Sequence, residues 1–392
     1  MEQNKKLAGF GKLVSYVLVA SAAAFLTYSF CAREREDGMN KLEVLEQIVQ
    51  ERFIGTYNRD KANDAAAAAI IDSLGDRWSY YIPASEYDSH VEQLENAYVG
   101  IGVTVSQDPE TKEYKITQVE PGGGAKAAGI LPGDILVSVA GKKLSQIGVD
   151  EAKRLIRGEE NSQVVVQVRR DGELYGYTVT RQTIQVQVAS GQMLPGNVGL
   201  VKINNFDERC AQETKAVIQE LCGQGAESLI FDVRFNPGGF RKELVALLDY
   251  LLPEGTLFRS LSYTGEQSVD TSDANCLEMP MVVLVNESSY SASEFFAAAL
   301  REYGWASIVG EPTVGKSYFQ NTIQLGDGSA IGLSVGKYFT PSGVSLADEG
   351  GLVPDKEVPV EAEVKAGIYA GTLPLEEDPQ LQAALELLKA PQ

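Results

Sequence analysis

Two short, almost uninterrupted apolar runs in the second half of the chain constrain the fold most. Residues 228–234 read Ser-Leu-Ile-Phe-Asp-Val-Arg, and residues 280–285 read Pro-Met-Val-Val-Leu-Val. Such runs are typical of strands buried on both faces, as in a parallel sheet covered by helices. A strand pattern at 198–203 and a helical pattern at 208–222 precede them. We therefore predict that residues 186–392 form an α/β region that ends in a C-terminal helix.

The middle of the chain has a different period. Four segments alternate in polarity as strands do, at 98–105, 114–119, 164–168 and 175–179. Glycine-containing breaks and one short amphipathic helix at 149–157 lie between them. This pattern predicts a compact, mainly β domain at 93–185. Apolar residues at helical spacing before it predict a helical N-terminal region at 38–92.

The first 37 residues carry a targeting or anchoring signal. Residues 13–32 are 20 consecutive uncharged residues, enough for a helix to cross a bilayer. Lys5, Lys6 and Lys12 precede this stretch, which favours a cytoplasmic tail with the rest of the chain outside the cytoplasm. We predict a single-pass anchor within 1–37, and a cleaved signal peptide with a secreted product is the alternative.

Composition excludes several classes of partner. The net charge is −20, so the surface would repel a nucleic-acid backbone. The four cysteines lack C-x-x-C spacing and the chain has one histidine, so we predict neither a metal site nor a cofactor. The cysteines are expected as buried thiols, with a disulfide left open. His90 lies among polar neighbours and is expected to be a solvated surface residue.

Ser291 and Lys316 are the candidate catalytic residues. Ser291 opens an alanine-rich helical segment, where the helix dipole and free N–H groups would stabilise charge on oxygen. With a single histidine in the chain, a lysine is the better candidate for the base of an activated serine. We expect Tyr318 and Phe319 to desolvate the Lys316 amine and lower its pKa. The plainer alternatives are an S-x-x-E capping box from Ser291 to Glu294 and a surface lysine.

Two further motifs flank this pair. Asn236-Pro-Gly-Gly239 follows the first apolar run, and its glycines could turn backbone N–H groups toward an oxyanion. Residues 310–317 match the phosphate-loop pattern GxxxxGK[ST]. A phosphate loop must open a helix, whereas residues 318–325 alternate like a strand, which argues against nucleotide binding.

The middle domain resembles a PDZ domain of bacterial proteases. The motifs are Gly100-Ile-Gly-Val103, Ala128-Gly129 and Pro132-Gly-Asp-Ile135. The resemblance implies that a peptide carboxy terminus adds as a strand beside 101–105, with its carboxylate held by backbone N–H groups. The implied peptide-binding residues are Gly100, Ile101, Gly102 and Val103.

The remaining motifs resemble those of the carboxy-terminal processing proteases, the tail-specific S41 serine peptidases. They are Asp232–Gly239, Ser291-Ala-Ser-Glu294, Gly310-Glu-Pro-Thr313 with Gly315-Lys316, Tyr338–Gly343 and Val353-Pro-Asp355. The family implies a crotonase-like core with an inserted PDZ domain. It also implies Ser291, Lys316 and Gln320 as catalytic residues and an oxyanion hole from Gly238 and Ala292, with Gly239 as the fallback. Two departures, Val314-Gly-Lys-Ser317 in place of FGKG and Tyr290 in place of alanine, bear on substrate preference.

We therefore expect a membrane-anchored serine endopeptidase that acts outside the cytoplasm on polypeptides with free carboxy termini. Two copies could pair through the helical N-terminal region. The rival function is a catalytically silent PDZ adaptor that binds peptide carboxy termini. A nucleotide-driven enzyme would rest on the phosphate-loop match alone.

Overall fold

The computed structural model describes residues 40–108 and 111–389. The chain divides into two units after Ile70. In the first, the helix Lys41–Arg52 is tied to the start of the helix Arg59–Asp72 by an ion pair between Arg59 Nε and Glu46 Oε1 at 2.6 Å. No described helix has the length and apolar character needed to cross a membrane. The predicted anchor at 13–32 lies outside the described residues.

The second unit contains the predicted α/β core. Its central sheet has six strands, in the order Ala189–Leu194, Val198–Ile203, Ser228–Asp232, Met281–Val285, Ala306–Gly310 and Lys356–Glu357. The first pair is antiparallel and all later pairs are parallel. The two apolar runs form neighbouring central strands in which every residue is buried. The prediction from these runs is confirmed.

Helices cover this sheet. The helix Ala292–Glu302 is buried from Ala292 to Leu300. Its Phe296 ring packs edge-on against Phe231 of the sheet, at 5.3 Å between centroids. The other described helices of the second unit are Ala84–Leu94, Gly124–Ala128, Leu144–Ile156, Cys210–Gly223, Arg241–Leu251, Ala362–Ala370 and Pro379–Lys389, with a 3₁₀ turn at Leu375–Glu377.

An antiparallel sheet lies beside the core. Its long strand Ala330–Phe339 pairs with three others and carries residues of the site region. The members are Tyr80–Ile82, Ala330–Phe339, Gly255–Ser262, Gln267–Ser272 and Tyr318–Gln324. Because Tyr80–Ile82 pairs with Ala330–Phe339, the segment just before Tyr80 is brought to this sheet.

The predicted β domain is present, with one difference. Its strands are Val103–Gln107, Tyr114–Val119, Ile135–Val139, Lys142–Lys143, Gln163–Arg170 and Glu173–Thr180. The predicted strand at 98–105 is broken at Ile101-Gly102, and its first part, Ala97–Gly100, pairs instead with Gln182–Gln185. Gly102 has φ +74°, a conformation that glycine adopts without strain, so the chain turns there.

A buried ionic cluster holds the carboxy-terminal helix to the sheet. The Arg234 guanidinium contacts Asp232 Oδ2 at 2.7 Å and Asp378 Oδ2 at 2.8 Å, and it also donates to Gln380 Oε1 at 3.0 Å. Burial opposes the Arg234 charge, while the two carboxylates raise its pKa. The cluster fixes the chain as it leaves the strand Ser228–Asp232 toward the glycine turn.

Candidate active site

The residues of the candidate site follow the carboxyl ends of three neighbouring parallel strands. The strands Ser228–Asp232, Met281–Val285 and Ala306–Gly310 lie side by side. The segments that follow their carboxyl ends contain the Asn236–Gly239 turn, Ser291 and Lys316 respectively. Loops at the carboxyl ends of parallel strands meet at one edge of a sheet, which is where α/β folds place their sites. Residues separated by up to 80 positions are thus brought together by the order of the strands.

Ser291 is held in a strained backbone conformation. Its φ of +60° and ψ of −125° are unusual for a residue with a side chain. Such outliers persist only where the surroundings enforce them, and they cluster at functional sites. Ser291 is 7% exposed and immediately precedes the buried helix Ala292–Glu302. The strain and the position both suit a nucleophile.

Glu294 joins the serine to the lysine. Its Oε2 accepts from the backbone N–H of Ser291 at 2.9 Å and from that of Lys316 at 2.8 Å, and its Oε1 accepts from Gly315 N at 2.6 Å. The Thr313 hydroxyl also donates to this carboxylate. Burial raises the pKa of Glu294, while these hydrogen bonds lower it. The predicted link between Ser291 and Glu294 is present, and the same carboxylate reaches the Lys316 loop.

Aromatic rings surround the Lys316 amine. Its Nζ lies 4.9 Å from the centroid of the Trp78 ring and 5.7 Å from that of Tyr290. Burial lowers the pKa of Lys316, and the carboxylates of Asp76 and Glu294 oppose that shift. Tyr318 and Phe319 line the same pocket as Lys316, and their part in its burial stays a prediction. Phe319 stacks on Tyr338, and the Trp78 ring, which the sequence does not predict here, comes from a distant part of the chain.

The glycine turn packs directly against the serine. A Cβ on Gly238 would lie 2.8 Å from the Ala292 nitrogen and 2.8 Å from Ser291 Cβ, so only glycine fits there. The Gly238 N–H donates to Asn236 Oδ1 at 2.8 Å, and the Asn236 carbonyl accepts from Tyr290 N at 3.1 Å. The turn is therefore positioned beside Ala292, with the Gly238 N–H already engaged. The oxyanion roles of Gly238, Ala292 and Gly239 stay predictions.

Gln320 lies on the wall of the same pocket as Ser291 and Lys316. Its Nε2 donates to Ser334 Oγ at 2.9 Å and to Tyr318 O at 3.2 Å. These bonds hold the amide on the strand Tyr318–Gln324. A hydrogen bond from Gln320 to the lysine amine stays a prediction.

The pocket in front of Ser291 has a volume of about 320 Å³, and His90 lies on its wall. The expectation of a solvated histidine is wrong. The His90 ring is half-buried and lies 5.9 Å from the Tyr80 ring, and burial lowers its pKa. Its Nε2 is buried and has no hydrogen-bond partner among the described residues. On the same wall, burial and the neighbouring Glu208 raise the pKa of Asp207 to about 7.

A second groove lies in the β domain, between the strand Val103–Gln107 and the helix Leu144–Ile156. It has a volume of about 510 Å³, and Ile101, Gly102 and Val103 line it together with Val149. Gly100 is not part of its lining, and it pairs with Gln182 in the neighbouring two-stranded sheet. The groove has the place and apolar character that a peptide tail would need, and the binding roles of these four residues stay predictions.

Two alternatives from the sequence can be compared with the structure. The phosphate-loop match at 310–317 is followed by the strand Tyr318–Gln324, so it lacks the helix that a phosphate loop opens. Cys210, Cys222 and Cys276 are free thiols, and Cys31 lies outside the described residues. Within the described ranges no group of three or more His, Cys, Asp or Glu side chains could hold a metal ion.

Sequence reasoning missed three contributors to the site. The S-x-x-E spacing predicts that Glu294 caps the helix at Ser291, but it does not predict the bonds to Gly315 and Lys316, which lie 21 and 22 positions away. Trp78 and Asp76 come from more than 200 residues upstream. No local pattern points from them to the lysine, because their contact depends on strand pairing in the antiparallel sheet.

A strained serine, a lysine whose pKa burial lowers and a glycine turn thus line one pocket at the edge of an α/β core. Comparison with known proteins identifies the family. The model of peptidase family S41 matches residues 197–358, and a PDZ domain model matches residues 115–170. The carboxy-terminal processing protease CtpA of Bacillus subtilis is 33% identical over 361 residues, covering 89% of this chain and 76% of that protein. The chain belongs to the S41 carboxy-terminal processing peptidases and carries a PDZ domain.

One solved structure shares the overall fold, and a second is similar to the chain over most of its length. A structure described as an S41 protease from Bacteroides fragilis covers 86% of this chain and 92% of its own, with a TM-score of 0.51 at 16% identity. The photosystem II D1 C-terminal processing protease covers 83% of this chain and 90% of its own, with a TM-score of 0.46 at 26% identity.

Proposed function

We propose that this chain is a Ser-Lys endopeptidase that cleaves polypeptides near free carboxy termini. The observation that carries the proposal is the shared carboxylate. One oxygen of the buried Glu294 accepts from the backbones of both Ser291 and Lys316, and these two residues line one pocket. A site that fixes two residues to one buried atom holds them in a constant relation, as a nucleophile and its base require.

In the proposed reaction, Ser291 Oγ attacks the carbonyl carbon of the scissile peptide bond. The neutral Lys316 amine takes the hydroxyl proton, and as an ammonium it returns a proton to the departing amine. Water then hydrolyses the acyl-enzyme with the same lysine as base. Burial of the amine supports this role, because it favours the unprotonated form that can accept a proton. Gln320 is proposed to orient the amine.

The tetrahedral oxyanion is proposed to be held by backbone N–H groups of Ala292 and of the glycine turn. Because the Gly238 N–H donates to Asn236 Oδ1, Gly238 can serve only if it shares or leaves that bond. Gly239, the next residue of the same turn, is the other candidate donor. Each such donor is worth about 10²–10³ in rate in a serine peptidase.

The PDZ domain is proposed to select substrates by their carboxy termini. The groove beside Val103 is open to a peptide strand, and Val149 on the facing helix is 39% exposed. A free carboxylate would receive charge-assisted hydrogen bonds from the backbone of the 100–103 loop, which a neutral amide would not. Tails that end in small apolar residues fit this groove best.

We further propose that residues 13–32 anchor the chain in a membrane and that the catalytic region works outside the cytoplasm. The α/β core is proposed to be crotonase-like. Pairing of two copies through the 38–92 region is a related proposal. It is supported by apolar residues on the helix Lys41–Arg52, of which Leu45 is 56% exposed and none is buried. Membrane fractionation of the chain with and without residues 1–37 tests the anchor. The molar mass in solution tests the pairing of two copies.

Digestion of an unfolded polypeptide that ends in apolar residues tests the central activity. The wild-type chain should cleave it, Ser291→Ala should not, and Ser288→Ala in the same loop should remain active as the matched control. If Ser291→Ala cleaved at the wild-type rate, the serine mechanism would be discarded. If the wild type bound the tail but left it intact, the silent adaptor would be favoured instead.

A second comparison tests tail selection. The same polypeptide with a free and with an amidated carboxy terminus should differ in rate, with the free form cut faster. Equal rates would remove the PDZ domain as the selector while leaving the Ser-Lys reaction in place.

A further inference from the structure

The loop just before the strand Tyr80–Ile82 is built around Asp76. Its Oδ1 accepts from the backbone N–H of Trp78 at 3.1 Å, and its Oδ2 accepts from the Ser79 hydroxyl at 2.6 Å. Charge-assisted bonds of this kind are stronger than neutral ones. They define the conformation of the 76–79 loop and hence the direction in which Trp78 leaves it.

One arm of this loop covers the lysine. The Trp78 indole lies 4.9 Å from Lys316 Nζ and 5.7 Å from the ring of Tyr290, which also faces the amine. The two rings together exclude water from one side of the amine. An indole face attracts a cation but cannot accept its proton, so it positions the group without competing as a base.

The other arm reaches Gln320. The Ser79 hydroxyl oxygen accepts from Ser334 N at 3.0 Å, and Ser334 Oγ accepts from Gln320 Nε2 at 2.9 Å. The chain of bonds from Asp76 through Ser79 and Ser334 therefore ends at the glutamine beside the lysine. Both arms start from the same carboxylate.

We propose that Asp76 is a positioning residue of the peptidase reaction, which holds Trp78 over the Lys316 amine, orients Gln320 through Ser79 and Ser334, and supplies a counter-charge to the amine. The inference rests on the proposed role of Lys316 as the base. According to this inference, the 76–79 loop helps to set the proton affinity of the lysine, although it lies far from the catalytic motifs in the sequence.

Two effects on the lysine oppose each other. Burial lowers the pKa of Lys316, while the Asp76 and Glu294 carboxylates raise it. The Arg77 guanidinium lies 4.4 Å from the Trp78 ring. The other titratable or charged groups on the pocket wall are His90, Asp207, Arg241, Tyr80, Tyr318 and Tyr338. Loss of the Asp76 charge should lower the lysine pKa, and loss of the Trp78 cover should raise it.

Fluorescence of Trp78 can follow this titration without turnover. The chain has two tryptophans, so Trp305→Phe leaves Trp78 as the single reporter. Its emission should change with pH as the neighbouring amine loses its proton, and Lys316→Met should remove that transition. In the same background, Asp76→Asn should move the midpoint down by about one pH unit, the scale for an opposite charge within a few ångströms. Asp88→Asn, an exposed carboxylate on the next helix, should leave the midpoint unchanged.

Three results would overturn the inference. The first is a transition that survives Lys316→Met, since the indole would then not report on the amine. The second is an unchanged midpoint in Asp76→Asn. The third, available if Asp76→Asn does not fold, is a pH–rate profile of Trp78→Phe that coincides with that of the wild type, where a shift to higher pH is expected.

The second arm has its own readout. Ser79→Ala keeps the Asp76 charge but removes the hydroxyl that accepts from Ser334 N, so the fluorescence midpoint should stay in place while kcat falls about tenfold, the scale of one lost hydrogen bond. If Ser79→Ala kept the wild-type kcat, the proposed orientation of Gln320 through Ser79 and Ser334 would be discarded. Because the fluorescence titration needs no cleavage, an inactive wild type would overturn the proposed function and leave the positioning role testable.

Discussion

The pocket around Ser291 and the groove beside Val103 differ in how firmly each is held. At the pocket, a fully buried carboxylate takes hydrogen bonds from three backbone amides, and the glycine turn has no room for a side chain. At the groove, the lining is mostly apolar and partly exposed, with Val149 at 39%, and it includes Lys153 and Arg157. Chemistry needs fixed geometry, whereas selection of varied tails needs a surface that tolerates them.

The largest effect is expected at the lysine. Lys316→Ala should reduce kcat/KM by about 10⁴, the scale seen when one member of a concerted catalytic unit is lost. Lys316→Arg should fail equally, because a guanidinium does not lose its proton near neutral pH. Lys337→Ala, a partly exposed lysine on the neighbouring strand, is the control and should remain active. Substantial activity in Lys316→Arg would show that the pocket does not depend on a proton-accepting amine.

The next effect is expected at the shared carboxylate. Glu294→Gln removes the charge and turns an amide N–H₂ toward backbone N–H groups that need an acceptor. The free energy of unfolding should fall by about 1.5–3 kcal/mol, the range for a hydrogen bond to a charged group, and peptide cleavage should fall with it. Glu363→Gln, an exposed glutamate in the first turn of another helix, is the matched control. Denaturant unfolding and cleavage rates of both variants measure this, and wild-type values in Glu294→Gln would mean that the pocket is less firmly held than the contacts indicate.

The smallest effect is expected at the groove. Val149→Trp should fill it without backbone strain, whereas Gly102 has a positive φ and any larger residue there would be strained. KM for a free-tail polypeptide should rise about tenfold, equivalent to ~1.4 kcal/mol, with kcat for a short peptide unchanged. Val165→Trp, an exposed valine of the same domain outside the groove, is the control. A fall in kcat for the short peptide would mean that groove and pocket are not separable.

The contrast between the two regions also explains what the sequence could predict. The apolar pattern within each segment predicts the buried strands, and the strand predicted at 198–203 matches Val198–Ile203. Ser291, Lys316 and the glycine turn were predicted to belong together, and strand order brings them to one edge of the sheet.

The failures lie where contacts join distant segments. Tyr318 and Phe319 are predicted near the lysine because they are near it in sequence, and both line its pocket. Trp78 also lies against the amine, which no local pattern predicts, because the strand Tyr80–Ile82 pairs with Ala330–Phe339. His90 was expected in solvent from its polar neighbours, yet its helix turns the ring toward the Tyr80 ring.

The central claim is that a lysine without its proton activates Ser291. The most direct test is kcat/KM as a function of pH for the wild-type chain on a peptide with no titrating groups. Because only the neutral amine accepts a proton, the rate should rise with pH as Lys316 deprotonates and level off above an apparent pKa below the usual lysine value of 10.5. A flat profile from mildly acidic to alkaline pH would contradict the claim.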